Sequence, residues 1–191
     1  MNRAVFLDRD GVLVADVHLI TRAEQISILP GVPEALQRLH AAGFKLIVVS
    51  NQTVISRGLA TAAEVDGLNA HIETRLRQQN ASLDQFYICP HHPKATLPQY
   101  RLECDCRKPR PGLILQAAKE LQIDLPRSFM VGDRITDVVA GAKAGCRTVL
   151  VESGQHTAPA IESPEAMDPS IAPDFVCDGL RAASDWILRQ E

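Results

Sequence analysis

Ala4-Val5-Phe6-Leu7-Asp8-Arg9-Asp10-Gly11 is the stretch on which the fold turns. Four apolar residues stop abruptly at three charged ones and a glycine, which is the pattern of a buried strand emptying into a polar turn at its carboxyl end. The figure recurs downstream. Leu46-Ile47-Val48-Val49 runs into Ser50-Asn51-Gln52, and Phe129-Met130-Val131 runs into Gly132-Asp133. Further strands are predicted over 86–88, over 148–151 and near Phe175-Val176. Between them lie amphipathic stretches. Residues 33–42 predict a helix, with Pro33 in its first turn, Leu36 and Leu39 on one face and Gly43 placed for the left-handed stop. Thr61-Ala62-Ala63-Glu64 fits a capping box, and Leu68, Ile72 and Leu76 extend a helix behind it to about residue 77. Residues 113–121, 137–144 and the C-terminal end read as helices too.

This β-α-β-α rhythm predicts an α/β fold, a doubly wound and mostly parallel sheet covered by helices on both faces. The segment 93–111 carries no periodicity and is expected to be an irregular loop. Residues 152–173, with four prolines, read as a long surface excursion. No internal repeat and no linker interrupt the pattern, so residues 1–191 are expected to form a single domain. Composition agrees with one filled core: 191 residues, 46% hydrophobic and 23% charged, which excludes wholesale disorder, collagen-like repeats and coiled coil. A net charge of -3 gives no electrostatic footprint for nucleic acid or an anionic membrane. The N-terminus has no signal-peptide pattern and no apolar run approaches membrane-spanning length, so a cytoplasmic protein is expected.

In an open α/β sheet, ligands bind beyond the carboxyl ends of the strands, where Asp8, Ser50 and Asp133 are expected to converge. The two-residue spacing of Asp8 and Asp10 suits a paired nucleophile and proton carrier, and Gly11 lets the backbone turn after them. With Asp133 the site is oxygen-rich, of the kind Mg²⁺ prefers, and a phosphate monoester is its natural substrate. The plainer reading of Asp-Arg-Asp-Gly as a polar turn stands beside this one. Asp137 is read first as a carboxylate stabilising the N-H dipoles of a helix start, with a further metal neighbour as the alternative.

The combination decides between them. Strand-Asp8-x-Asp10-Gly11, strand-Ser50, Lys108 in an Arg-Lys-Pro loop ahead of a helix, and Gly132-Asp133-x-x-x-Asp137 together resemble the four motifs of the haloacid dehalogenase superfamily of phosphotransferases. The resemblance implies that Asp8 is the nucleophile forming an aspartyl-phosphate and that Asp10 protonates the leaving oxygen and then activates water. It further implies that Ser50 hydrogen-bonds the phosphoryl group, that Lys108 offsets its charge, and that Asp8, the Asp10 main-chain carbonyl and Asp133 hold Mg²⁺. Arg134 is then expected at the metal or phosphate edge.

Cys89-x-His91 and Cys104-x-Cys106 offer four ligands in two pairs, spaced more tightly than in zinc fingers. They fit a closed, structural Zn²⁺ site in loop 89–106, with His92 as rival to His91; unpaired cytosolic thiols are the plainer alternative. Cys146 and Cys177 read as buried small hydrophobes. Cys89-Pro90-His91-His92-Pro93, followed by Cys104-Asp105-Cys106-Arg107-Lys108-Pro109-x-Pro111-Gly112, is similar to the D-glycero-D-manno-heptose 1,7-bisphosphate 7-phosphatases, which share a subfamily with the histidinol-phosphate phosphatases. That likeness implies no large cap domain, His91 rather than His92 on zinc, and substrate contacts from Arg107, Asn51, Gln52, Thr53 and Asp16. The expected partner is a small phosphorylated sugar met by a monomer. The chain departs from the family at Asp16-Val17-His18-Leu19, Val12 and Thr53-Val54, which bears on sugar identity. Histidinol phosphate is the alternative substrate, and a catalytically silent zinc-stabilised binding module the alternative of another class.

Overall fold

The computed structural model describes residues 1–154 and 170–190. Six strands form one all-parallel sheet: β1 (Arg3–Leu7), β2 (Phe44–Asn51), β3 (Gln85–Cys89), β4 (Phe129–Gly132), β5 (Arg147–Val151) and β6 (Phe175–Cys177), in the order β3-β2-β1-β4-β5-β6. Among the described residues six α-helices lie between and after them: α1 (Val32–Ala41), α2 (Thr53–Ser56), α3 (Ala62–Arg77), α4 (Gly112–Leu121), α5 (Ile135–Ala144) and α6 (Leu180–Leu188).

Strand alternation divides the core into two layers. Val5 and Leu7 of β1, Leu46 and Val48 of β2, and Phe129 and Val131 of β4 face one side, where they meet Leu36 and Leu39 of α1, Ile72 and Leu76 of α3, and Leu180 and Ile187 of α6. Ala4, Phe6, Ile47, Val49 and Met130 face the other side, against Leu113, Ile114 and Ala117 of α4 and Ala140 and Ala144 of α5. A sheet buried on both faces explains why the strands read as continuous apolar runs.

The predicted helices and strands are present, with boundaries moved by local hydrogen bonding. Thr61 caps α3 and forms the capping box with Glu64. Gly43 takes the expected left-handed turn, φ 84°. Helix α5 starts at Ile135, two residues before the predicted position, because the Asp137 carboxylate accepts from the Arg134 backbone N–H and caps the helix from inside. The short α2 escapes the sequence pattern, since four residues carry no periodicity. The 93–111 segment is irregular apart from a single 3-10 turn at Pro98–Tyr100. Of the predicted 152–173 excursion, residues 155–169 lie outside the described residues.

Register sets up the site. Leu7 lies level with Val48 of β2 and Val131 of β4; β1 ends there, while β2 runs on to Asn51 against β3 and β4 to Gly132 against β5. Strand order reverses around β1: the chain moves outward through β2 and β3, then returns to place β4 on the opposite side of β1. This switch point leaves a crevice at the carboxyl edge. Among the described residues no cap domain is inserted over it, and no helix is long and apolar enough to cross a membrane.

Candidate active site and metal-ligand clusters

Asp8 follows β1 directly, and its backbone N–H donates to Val131 O at 3.0 Å, tying the residue to β4. One carboxylate oxygen, Oδ1, accepts from the Arg9 backbone N–H at 2.8 Å and lies 3.0 Å from Lys108 Nζ. Asp8, Asp133 and Asp137, all buried, bring one carboxylate oxygen each within 4.8 Å of one another. Lys108 is buried among them. Its ammonium lies 2.6 Å from Asp137 Oδ1 and donates to Val49 O at 2.8 Å. Burial alone would lower the Lys108 pKa, but Asp137 and Asp8 more than offset that and hold it above the ordinary lysine range.

One buried ammonium cannot balance three buried carboxylates. Desolvation, then the charges of Asp137 and Asp8, push Asp133 up to about 8, and desolvation raises Asp137 as well. Asp133 Oδ1 is buried with no hydrogen-bond partner. Its carboxylate is walled by glycines: a Cβ at Gly11 would come within 2.4 Å of Asp133 Oδ2, and one at Gly154 within 2.0 Å. Gly132 likewise gives Asp137 its space, since a Cβ there would fall 2.1 Å from Asp137 Cβ. An orphaned oxygen in a carboxylate-rich pocket short of positive charge fits a hard divalent cation.

Asp10 belongs to a different network. Its carboxylate accepts from Arg9 twice, Nε to Oδ1 and an Nη to Oδ2, both at 3.0 Å, and Oδ2 accepts also from Gln52 Nε2 at 3.0 Å. Gln52 reaches Ser50 Oγ at 3.0 Å with the same nitrogen, so Ser50 and Asp10 are linked through one amide. Asn51 is spent on the backbone of Lys108: its Nδ2 donates to Lys108 O and its Oδ1 accepts from Lys108 N, each at 3.1 Å. Asn51 and Gln52, expected to touch substrate, are engaged here with Lys108 and with Arg9, Asp10 and Ser50 respectively. Thr53 opens α2, half-buried.

Arg134 also differs from a metal ligand. A guanidinium has no lone pair to offer, and here it pairs with Asp16 Oδ2 at 3.0 Å and lies 4.0 Å from Asp133 Oδ2. Asp16 is engaged on its other oxygen as well, accepting from the His18 backbone N–H at 2.8 Å. The 16–19 loop is therefore tied to the carboxylate cluster through Arg134.

The second cluster lies at the end of β3. Cys89, His91, Cys104 and Cys106 bring their ligand atoms within 4.8 Å of one another. His91 Nδ1 is 3.3 Å from Cys106 Sγ, while the His92 ring nitrogen accepts from the Lys94 backbone N–H. This settles the geometry in favour of His91. Contact with Cys89 pulls the Cys106 thiol down to about 5, whereas Cys89 is pushed up by that same contact and by burial. Three thiols and an imidazole this close together are a donor set compatible with zinc, which would favour the thiolate forms. Arg107 follows at once and donates to His91 O at 3.2 Å. Gly112 closes the loop, since a Cβ there would fall 2.3 Å from Asp105 O.

Residues 5–82 match the family of haloacid dehalogenase-like hydrolases and residues 105–183 a HAD-hydrolase-like family. The D-glycero-beta-D-manno-heptose-1,7-bisphosphate 7-phosphatase of Escherichia coli O6:H1 is 37% identical over 98% of this chain and 95% of its own. That of Pasteurella multocida is 43% identical over 81% and 84%. The chain belongs to this 7-phosphatase family. The solved D,D-heptose 1,7-bisphosphate phosphatase of B. bronchiseptica, complexed with magnesium and phosphate, superposes with a TM-score of 0.82 at 29% identity, covering 99% of both chains.

Two parts of this 7-phosphatase site escape the motif reading. Arg9 occupies the spacer position between the two aspartates, yet its side chain is fully buried. Its signal is only a charged residue where a strand has just ended. Asp137 does cap α5 as expected, but its second oxygen also joins Lys108 and the carboxylate cluster. Its place beside the other carboxylates is the alternative the spacing offered; the contact with Lys108 comes from the three-dimensional return of the Lys108 loop to β2.

Proposed function

We propose that the chain is a Mg²⁺-dependent phosphatase that removes the 7-phosphate of D-glycero-D-manno-heptose 1,7-bisphosphate through an aspartyl-phosphate on Asp8, as one domain over residues 1–191 in the cytoplasm. The observation that carries this reading is the meeting of Asp8, Lys108 and Asp133 at the switch point, one carboxylate fixed by an ammonium beside another with an orphaned oxygen.

Asp8 attacks phosphorus as the bond to the sugar oxygen breaks, and Asp10 gives its proton to the departing oxygen. Asp10, now ionised, takes a proton from the water that cleaves the aspartyl-phosphate, which returns Asp8 and releases phosphate. Ser50 donates its hydroxyl hydrogen to the phosphoryl group, and Lys108 counters the charge of the dianion as it approaches a carboxylate. Asp8, Asp133 and the Asp10 main-chain carbonyl would hold Mg²⁺, which supplies positive charge against the phosphoryl oxygens when bound. Arg107, Thr53 and Asp16 face the sugar side, with Arg134 at the edge as a cation.

Cys89, His91, Cys104 and Cys106 would hold Zn²⁺ as a structural ion. Cys106 is bonded to Arg107, and Lys108 follows, so fixing the thiolates fixes two cations aimed at phosphate; Asn51 completes the clamp from β2.

Beryllofluoride with Mg²⁺ is expected to form an acyl-phosphate mimic on Asp8, visible in a crystal structure. A complex with the fluoride elsewhere and Asp8 unmodified refutes the assignment.

A further inference from the structure

The fully buried Arg9 guanidinium is gripped on three sides. It donates twice to Asp10, its second Nη donates also to Gln52 Oε1 at 2.7 Å, and its first donates to Asn69 Oδ1 at 3.1 Å. Asn69 lies on α3, in the face that carries Val65, Ile72 and Leu76 into the interior, and is 4% exposed. A guanidinium only donates, so the amide oxygen is the atom that faces it. The amide nitrogen, Nδ2, is buried with no hydrogen-bond partner. An apolar helix face thus carries a polar residue at the cost of an unsatisfied donor, and all that this residue delivers is one acceptor for Arg9.

That acceptor has a chemical consequence at Asp10. Oδ2 accepts from both Arg9 and Gln52, which occupies both of its lone pairs, whereas Oδ1 accepts from Arg9 Nε alone. Oδ1 therefore retains the one free lone pair of the carboxylate, on a side chain that is 25% exposed. If the guanidinium rotates, the carboxylate rotates with it and the free lone pair loses its aim.

We propose that Asn69, a helix residue outside the phosphatase motifs, is a positioning residue that aims Asp10 Oδ1 at the leaving oxygen by fixing the guanidinium of Arg9. This rests on the reading of Asp10 as the proton carrier. Misaiming a general acid harms the expulsion of a poor leaving group, which must be protonated, and spares a good one, which leaves as an anion. A change that merely loosens the fold harms both.

The test is kcat/KM for heptose 1,7-bisphosphate, an alkyl phosphate, against 2,4-dinitrophenyl phosphate, in Asn69→Leu, Asn69→Asp and Asp10→Asn. Asn69→Leu keeps the volume and removes the acceptor; the alkyl substrate is expected to lose about tenfold or more while the dinitrophenyl ester changes less than about twofold. Asn69→Asp retains an oxygen toward Arg9, gives up a nitrogen that has no partner and adds a charge that faces the guanidinium, so it is expected to restore the alkyl rate. Equal losses on both substrates, or none on either, overturn the proposal. Asp10→Asn is expected to show the same leaving-group selectivity more strongly. If it shows none, the proton-carrier reading itself falls and the proposal with it; if it does and Asn69→Leu does not, only the role of Asn69 falls. Should Asn69→Leu fail to fold, Asn69→Ser carries the same expectation, because its hydroxyl is too short to reach Arg9.

Discussion

At the scale of single residues, the site is organised by which cation holds which carboxylate. Lys108 holds Asp8 and Asp137; Arg9 holds Asp10; Arg134 holds Asp16. Because both ends of the Asn51 amide grip the Lys108 backbone, Asn51→Ala is expected to lower kcat/KM by roughly a hundredfold through misplacement of the ammonium, with thermal stability nearly kept. Steady-state kinetics beside a melting curve checks it. Asp133 yields a prediction of different kind. Its folded-state pKa, about 8, lies above the ordinary 3.8, so the folded chain binds this proton more tightly than the unfolded chain does. The stabilisation is thus full below the ordinary 3.8, falls as pH rises from there, and is gone above about 8. Metal-free protein is expected to melt at falling temperature across that window, and Asp133→Asn to flatten the dependence; parallel curves for the two proteins would contradict it. The sequence made Asp8, Asp10, Ser50, Lys108 and Asp133 legible because motif spacing on strand ends is a local property. Arg9 and Asn69 were not, since their roles exist only where α3 packs over the end of β1.

At the scale of elements, strand alternation and helix caps were written in the sequence and appear in the structure, from the Thr61 capping box to the Gly43 turn. What local pattern does not encode is how the irregular 93–111 loop folds back to bring Cys104 and Cys106 against Cys89 and His91, since no periodicity runs through it. The choice between His91 and His92 is one such case: adjacent residues differ only in where the loop turns them. If zinc organises this loop, Cys104→Ser is expected to lower the melting temperature and also to weaken turnover, since Arg107 and Lys108 lose their anchor. Metal analysis of the purified protein is expected to give about one zinc per chain, as a four-ligand closed site requires. Zinc-free protein with unchanged melting and turnover would refute the structural role.

At the scale of the whole molecule, an all-parallel sheet in the order β3-β2-β1-β4-β5-β6 puts β1 between two strands that arrive from opposite directions of winding, which is why residues 8, 50 and 133 share one crevice. No cap domain covers that crevice among the described residues, and under the proposed function the loops around it select the substrate. One of them, Asp16-Val17-His18-Leu19, departs from the family pattern and has its carboxylate committed to Arg134. The substrate therefore tests the account most directly. Phosphate release should be measured at matched concentrations from both anomers of D-glycero-D-manno-heptose 1,7-bisphosphate, from fructose 1,6-bisphosphate and from histidinol phosphate, with Mg²⁺ and with chelator. The account predicts a kcat/KM for a heptose bisphosphate at least about a hundredfold above the others, abolished by chelator. Weak and even turnover of all of them, or turnover that survives removal of Mg²⁺, would contradict it.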